Sequence, residues 1–247
     1  MILMSDETLK DSTLTVNSET VNYPVTNILN SSLKRLSRTA AGTTTCTIVF
    51  DAGTAVTVNS VNIANHNLSS GVSTLEFQGN ATDSWAAPSV DETLTWSDGI
   101  ISKQFTGGSY RYWRLNIVDA GNSDTYIELG RVSGCNAITA PALSPEVARS
   151  YKSDTEKVRT NAGNSYGNLY PKYRTISFKW KKLTAANVTA LETFFDEVDS
   201  STPFFVYFDE TDLSFTMYAT IDGDGIHTSY LRDSTYQSGA LALIEEL

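Results

Sequence analysis

At 247 residues the chain has room for two β domains with cores of their own, and its formal charge of −10 argues against a phosphate-binding surface, which draws affinity from clustered Lys and Arg. No apolar run approaches the ~20 residues of a membrane helix, and Met1-Ile2-Leu3-Met4 followed by Ser5-Asp6-Glu7 lacks the features of a signal peptide, so the expectation is a protein kept in the cytoplasm that makes it. Cys46 and Cys135 are expected to be free, buried thiols, with a disulfide between them as the alternative if their strands are neighbours, and with two histidines in unrelated contexts they are too few for a metal site.

The composition favours strands: Thr, Ser, Asn and Val are abundant, with 10 Phe and 12 Tyr. The fold class expected is all-β with one or two short helices. Residues 1–16 read as an N-terminal arm. The first β block, 17–136, opens with Tyr23-Pro24-Val25-Thr26-Asn27-Ile28-Leu29, whose Ile28 and Leu29 are available to plug a core. Ile48 and Phe50 then share a strand face, Ala52-Gly53-Thr54 turns the chain, and Val56, Val58, Val61 and Ile63 continue on strand faces to Asn65-His66-Asn67. Leu75 and Phe77 alternate with Glu76 and Gln78. A long polar excursion from Gly79 to Asp98 follows, carrying Trp85 and Trp96, and long loops on β scaffolds are where binding residues concentrate. In Tyr110 to Ile117, Trp113, Leu115 and Ile117 face inward and Arg114 and Asn116 outward. Ile127 and Leu129 repeat the pattern in what reads as the return strand of a closing hairpin, with the phase breaking at Gly130 as in a bulge.

Residues 137–156 contain Pro141 and Pro145, have no sustained period, and read as a linker. The second block, 157–247, alternates through Ile176, Phe178 and Trp180. Its period then becomes helical at Val188, Leu191, Phe194, Phe195 and Val198, with Thr184 as N-cap and Pro203 beyond the stop. Phe204-Phe205-Val206-Tyr207-Phe208 is nearly all apolar and calls for burial on both faces. Strands around Phe215 to Ile221 and Tyr236 to Ile244 complete a small β-sandwich with one packed helix.

Chemistry-bearing motifs are sparse. Gly163-Asn164-Ser165-Tyr166-Gly167 matches a nucleophile elbow in letters, but its polar and proline-interrupted flanks supply neither the strand nor the helix that elbow needs. Asp222-Gly223-Asp224-Gly225 suits a hairpin turn better than a calcium loop, because the bidentate Glu is missing. No catalytic constellation emerges, so the chain is read as a non-enzyme without cofactor or metal. Trp85 and Trp96 are candidates for stacking on a sugar ring, with His66 and Asn67 as candidate hydrogen-bonding partners.

On Tyr23 to Leu29, Ile48 to Gly53, Val58 to Ile63, and Tyr112-Trp113-Arg114-Leu115 with Ile127-Glu128-Leu129, the first block resembles a discoidin-like (galactose-binding-like) jelly-roll sandwich. Arg159 with Gly163 and Tyr166-Gly167, Tyr173 to Trp180, Thr184 to Val198, Pro203 to Val206 and the closing Ala240 to Leu247 make the second block resemble the hub-type β-sandwich of tailed-bacteriophage distal tail and tail-tip (baseplate) proteins. That resemblance implies a minor structural protein of a virion tail tip, assembled in the host cytoplasm and contacting the tail tube and tail-tip hub. It also implies a homo-oligomeric ring, trimer or hexamer, that presents the jelly-roll for subunit or host-glycan contact. Lys179, Lys181, Lys182, Glu192, Asp196, Glu245 and Glu246, on the basic flank, the helix and the edge of the C-terminal strand, are the candidate subunit interface. Neither nucleic acid nor membrane insertion is expected. The alternative is a soluble carbohydrate-binding module of a bacterial surface or polysaccharide-processing system.

Overall fold

The computed structural model describes residues 2–4, 8–139, 147–168, 170–208, 216–223, 225, 227–231 and 235–247. Its contacts divide the chain into two compact units: Met1–Ala140 with Pro203–Tyr218, and Pro141–Thr202 with Ala219–Leu247. The first contains strands β1 (Ile2–Met4), β2 (Thr13–Val16), β3 (Ser37–Arg38), β4 (Thr45–His66), β5 (Thr74–Asn80), β6 (Val90–Thr93), β7 (Ile101–Val118), β8 (Glu128–Cys135) and β9 (Ile138–Thr139). The second contains β10 (Ala148–Ser153), β11 (Lys157–Arg159), β12 (Ser165–Gly167), β13 (Lys172–Phe178) and helix α1 (Ala185–Val198). After β14 (Phe204–Tyr207), which belongs to the first unit, β15 (Thr216–Asp222) passes from one unit to the other. Strands β16 (Thr228–Tyr230), β17 (Tyr236–Ser238) and β18 (Leu241–Glu245) finish the second. The fold is all-β with a single α-helix among the described residues.

The first unit is organised by two long strands. Along Thr45–Asp51, β4 pairs with β2 on one edge and with the second half of β7 on the other. From Ser60 onward it pairs with the first part of β7 and with β8. Register shifts between Asp51 and Val56 and between Val58 and Ser60 bend the ladder. Gly53, at φ +74°, occupies the first shift, and its N–H is accepted by Asp51 Oδ1 at 2.8 Å. The turn expected at Ala52-Gly53-Thr54 is therefore a bend inside one strand. The two parts of the sheet close over one core that includes Ile48, Phe50, Val61, Ile63, Phe77, Trp113, Leu115, Ile117, Leu129 and Val132. Trp113 stacks on Phe77 at 5.5 Å, and at Gly79 a Cβ would lie 2.6 Å from the Trp113 ring, so only glycine lets the indole reach that depth.

Two expectations are corrected here. The segments Tyr110–Val118 and Glu128–Gly134 do not form a hairpin, since the strand order is β3-β8-β4-β7-β5-β6 and β4 lies between them. There is also no extra residue at Gly130: the β4–β8 register is the same on either side of it, at Ala64↔Arg131 and at His66↔Leu129, and the residue between them on β4, Asn65, takes a φ of +55°. The apolar phase is lost because β8 is covered on both faces from Leu129 onward, enclosing even Arg131 and Ser133. Gly130 has a different role. A Cβ there would stand 2.9 Å from Leu33 O and from Asn65 Cβ.

Residues read as an arm and as part of the second block also join the first unit. Strand β1 pairs with β14 and with β9. Met4, Ala64, Cys135, Phe205, Tyr207 and Tyr218 form a second buried cluster in that unit. Burial on both faces was expected of Phe204–Tyr207, and all four side chains are buried; one of its neighbours on the ladder is the N-terminal strand β1. Neither Cys46 nor Cys135 is in a disulfide, both are buried, and burial pushes the Cys46 thiol up to about 12.

In the second unit the antiparallel order is β10-β13-β18-β15. Thr184 caps α1 reciprocally: its Oγ1 accepts from Asn187 N at 3.2 Å while Asn187 Oδ1 accepts from Thr184 N at 3.1 Å. Val188, Leu191, Phe194 and Val198 are the buried helix residues, as the period requires. Trp180 is fully buried, edge-on to Phe178 at 5.1 Å. Of the expected linker, residues 140–146 with Pro141 and Pro145 lie outside the described residues, and Ala148–Ser153 is an ordered edge strand against β13.

Candidate functional site

The loops at one end of the first unit converge on a cleft of about 270 Å³ lined by Thr20, Asn22, Tyr23, Arg38, Thr39, Ala41 and Tyr126. Its centre is Arg38, brought to the edge of the sheet by the short β3–β8 ladder, Ser37↔Leu129 and Arg38↔Glu128. The guanidinium carbon lies 4.2 Å from the Tyr23 ring centroid and 4.3 Å from that of Tyr126, so the cation sits between two aromatic rings. Arg38 Nε donates to Glu128 Oε2 at 2.8 Å and Nη2 donates to the same oxygen. That hydrogen bond holds Arg38 above the usual guanidinium value, so the charge is permanent but compensated. A second fixed group is Thr39, whose Oγ1 donates to Thr43 O at 2.7 Å and accepts from Ile127 N at 2.9 Å. Thr20 Oγ1, by contrast, is buried and has no partner among the described residues.

The expected candidates are distributed around this cleft rather than gathered in it. Asn67 is its buttress: Nδ2 donates to Tyr126 O and to Asp124 Oδ2, both at 3.0 Å, and Oδ1 accepts from Glu128 N at 2.7 Å. Two of these bonds place the two residues that flank Arg38. His66 Nδ1 accepts from Leu68 N at 3.2 Å, and its Nε2 is buried without a hydrogen-bond partner among the described residues, so burial lowers its pKa. Ser69 N and Oγ both donate to the Asp119 carboxylate, at 2.7 and 2.6 Å, and Asn122 Nδ2 donates to Asn67 O at 3.0 Å. The rim loops are therefore tied together without any ligand.

The two indoles do not form one platform. Trp96 Nε1 donates to Leu68 O at 2.9 Å and its ring packs against the core, near the end of β5 where Leu94 N reaches Leu75 O. Trp85 lies beyond Ser89, whose N–H reaches Gly79 O, four residues and about 13 Å further along β5. There Nε1 donates to Asp83 Oδ1 at 2.7 Å and the ring covers the Arg114 guanidinium at 4.6 Å. Arg114 in turn donates Nε to Gln78 Oε1 at 2.7 Å, and Gln78 Nε2 donates to Asp91 Oδ1 at 2.8 Å. This is a satisfied polar layer on the outer face of the sheet.

Among the other candidates, Lys181, Lys182, Glu192 and Asp196 are exposed and Lys179 half-buried. Glu245 is engaged by Arg174, which donates from Nε at 2.7 Å and from its backbone N at 2.8 Å, and Glu246 accepts from Thr220 Oγ1 at 2.9 Å. The C-terminal strand β18 is flanked by β13 and β15 and offers no open edge. Ser165 lies in the β11–β12 hairpin with no helix after it, and Asp224 lies outside the described residues. No cluster of three or more metal-ligating side chains occurs among the described residues, and no described helix is long and apolar enough to cross a membrane.

No family model matches the chain, and no curated protein does. Solved structures do show similarity. A chitosan-binding module 1 from a chitosanase/glucanase of Paenibacillus sp. IK-5 is 20% identical at a TM-score of 0.43, covering 54% of this chain and 99% of that one. The lectin domain of Lectinolysin, complexed with Lewis B antigen, is 13% identical at 0.43, covering 53% and 96%. The family 32 carbohydrate-binding module of C. perfringens NanJ, in complex with galactose, is 11% identical at 0.43, covering 55% and 100%.

Proposed function

We propose that the first unit is a non-catalytic glycan-binding module whose ligand is taken by the cleft at Tyr23, Arg38 and Tyr126. The observation that carries this is the ring–guanidinium–ring stack, locked by Glu128 and buttressed by Asn67, beside the unpartnered Thr20 hydroxyl. Aromatic ring faces suit the C–H face of a sugar, and hydroxyl, amide and phenol groups suit its hydroxyls. At about 270 Å³ the cleft is smaller than the usual range for drug-sized ligands and fits a single sugar ring. Because Glu128 already compensates Arg38, a carboxylate on the sugar gains little there, which favours a neutral residue. The virion tail-tip reading rests on the resemblance of the second block alone, whereas the glycan-binding reading has the cleft behind it. Glycan-array screening of the full-length protein tests the proposal: neutral glycans bind, and Tyr23→Ala abolishes the signal. An array on which only acidic glycans bind, or on which Tyr23→Ala binds like the parent, overturns it.

A further inference from the structure

His66 is a titratable group inside a hydrogen-bonded turn whose middle residue holds the cleft. It ends β4, opposite Leu129 of β8. Its Nδ1 accepts from Leu68 N at 3.2 Å, so in the neutral ring the proton sits on Nε2, which is buried and has no hydrogen-bond partner among the described residues. Leu68 is itself fixed, with its side chain in the core and its carbonyl accepting from Trp96 Nε1 at 2.9 Å. Between His66 and Leu68 stands Asn67. Its backbone N–H donates to Glu128 O at 3.3 Å, its Oδ1 accepts from Glu128 N and its Nδ2 donates to Tyr126 O. Glu128 and Tyr126 are the carboxylate and one of the two rings that fix Arg38.

This arrangement has no room for a second proton. In the imidazolium both ring nitrogens are donors, so Nδ1–H faces the Leu68 N–H and a hydrogen bond becomes a meeting of two donors. Because Leu68 is held by the core, the displacement falls on the ring and on Asn67. Asp98 and the backbone of Ser97 and Gly99 favour the proton, but burial of the ring outweighs them. The other acidic groups on the neighbouring elements are engaged: Glu128 by Arg38, Asp124 by Asn67 Nδ2, and Asp119 by Ser69 N and Oγ.

We infer that protonation of His66 opens the turn around Asn67 and releases the sugar from the cleft, so that the module binds at neutral pH and lets go in mild acid. The release step rests on the glycan reading of the cleft, whereas the opening of the turn in the ligand-free protein does not. Linkage makes the effect reciprocal: where acid weakens binding about tenfold, bound sugar moves the His66 midpoint down by about one pH unit. His227, the other histidine of the chain, lies in the second unit and serves as the control.

Nuclear magnetic resonance of isotope-labelled full-length protein, titrated from about pH 7.5 to about pH 5, tests the switch without a ligand. The His66 ring signals and the amides of Asn67, Leu68, Tyr126 and Glu128 are expected to shift with one common midpoint, below the ordinary 6.5. Calorimetric titration with galactose, N-acetylglucosamine and fucose as neutral probes tests the consequence. Affinity is expected to fall at least about tenfold across the same pH range, by the same ratio in His227→Gln. In His66→Asn, whose side-chain oxygen accepts from Leu68 N without titrating, the ratio is expected to vanish. A His66 ring that stays neutral throughout, or Tyr126 and Glu128 amides that ignore its titration, overturns the inference whether or not a sugar binds. Equal affinity at both ends of the range overturns it too and leaves the glycan reading in place. Failure of every probe to bind at the neutral end counts against the cleft reading itself, and the release step goes with it.

Discussion

The cleft depends on single side chains whose polar atoms are almost all committed. Arg38 is the clearest: two rings and one carboxylate hold it, so its planar group is a fixed wall rather than a mobile charge. His66, next to the buttress Asn67 and beside Ser97 and Gly99, gives a pH dependence. Burial lowers its folded-state pKa below the ordinary 6.5. Above that value both folded and unfolded imidazoles are neutral and the residue contributes nothing to the pH dependence. As pH falls through 6.5 the unfolded chain takes up a proton that the folded one resists, so stability is lost toward acid. Thermal melts between about pH 7 and pH 5 should therefore show a fall in the melting temperature, and His66→Asn should flatten it. The asparagine oxygen can still accept from Leu68 N, so the variant keeps the loop. An identical slope in the variant excludes His66 as the source.

At the scale of elements, the strands that bury one face are legible from sequence. Leu75 and Phe77, and Trp113, Leu115 and Ile117, alternate because their opposite neighbours meet water or a polar layer. Helix α1 is equally legible, because its cap and its apolar period are local. Thr184→Ala removes the oxygen that accepts from Asn187 N and should cost about 1 kcal/mol in urea unfolding of the second unit, with Thr184→Ser close to the parent. Adjacency is what local patterns do not carry. Strands β7 and β8 follow one another and look like a hairpin, yet β4 separates them, and the doubly buried β8 has no alternation from which a register could be read. The cleft was hidden for the same reason: Thr20, Tyr23, Arg38 and Tyr126 share no period, and in sequence Arg38 stands near Lys34 and Arg35 with nothing to single it out. Trp85 and Trp96 were conspicuous as residue types, but each indole N–H is satisfied within its own end of the sheet.

For the whole molecule, the first unit is discontinuous in sequence. Phe204–Tyr207 pairs with Ile2–Met4, and Phe205, Tyr207 and Tyr218 cover Met4, Ala64 and Cys135. A fragment ending at Asn136 lacks these side chains and exposes that cluster, so it should unfold without the sharp cooperative transition of the full chain. A truncated fragment with an unchanged melt contradicts the assignment of residues 203–218 to this unit. Binding experiments accordingly use the intact protein. The most direct test of the cleft is a titration of isotope-labelled full-length protein with neutral mono- and disaccharides, followed by amide chemical shifts. The account predicts shifts concentrated at Thr20 to Tyr23, Arg38 to Ala41 and Tyr126, with affinity falling at least about tenfold in Tyr126→Ala and unchanged in Trp85→Ala. Shifts confined to the Trp85 loop, with binding lost in Trp85→Ala and kept in Tyr126→Ala, would contradict it.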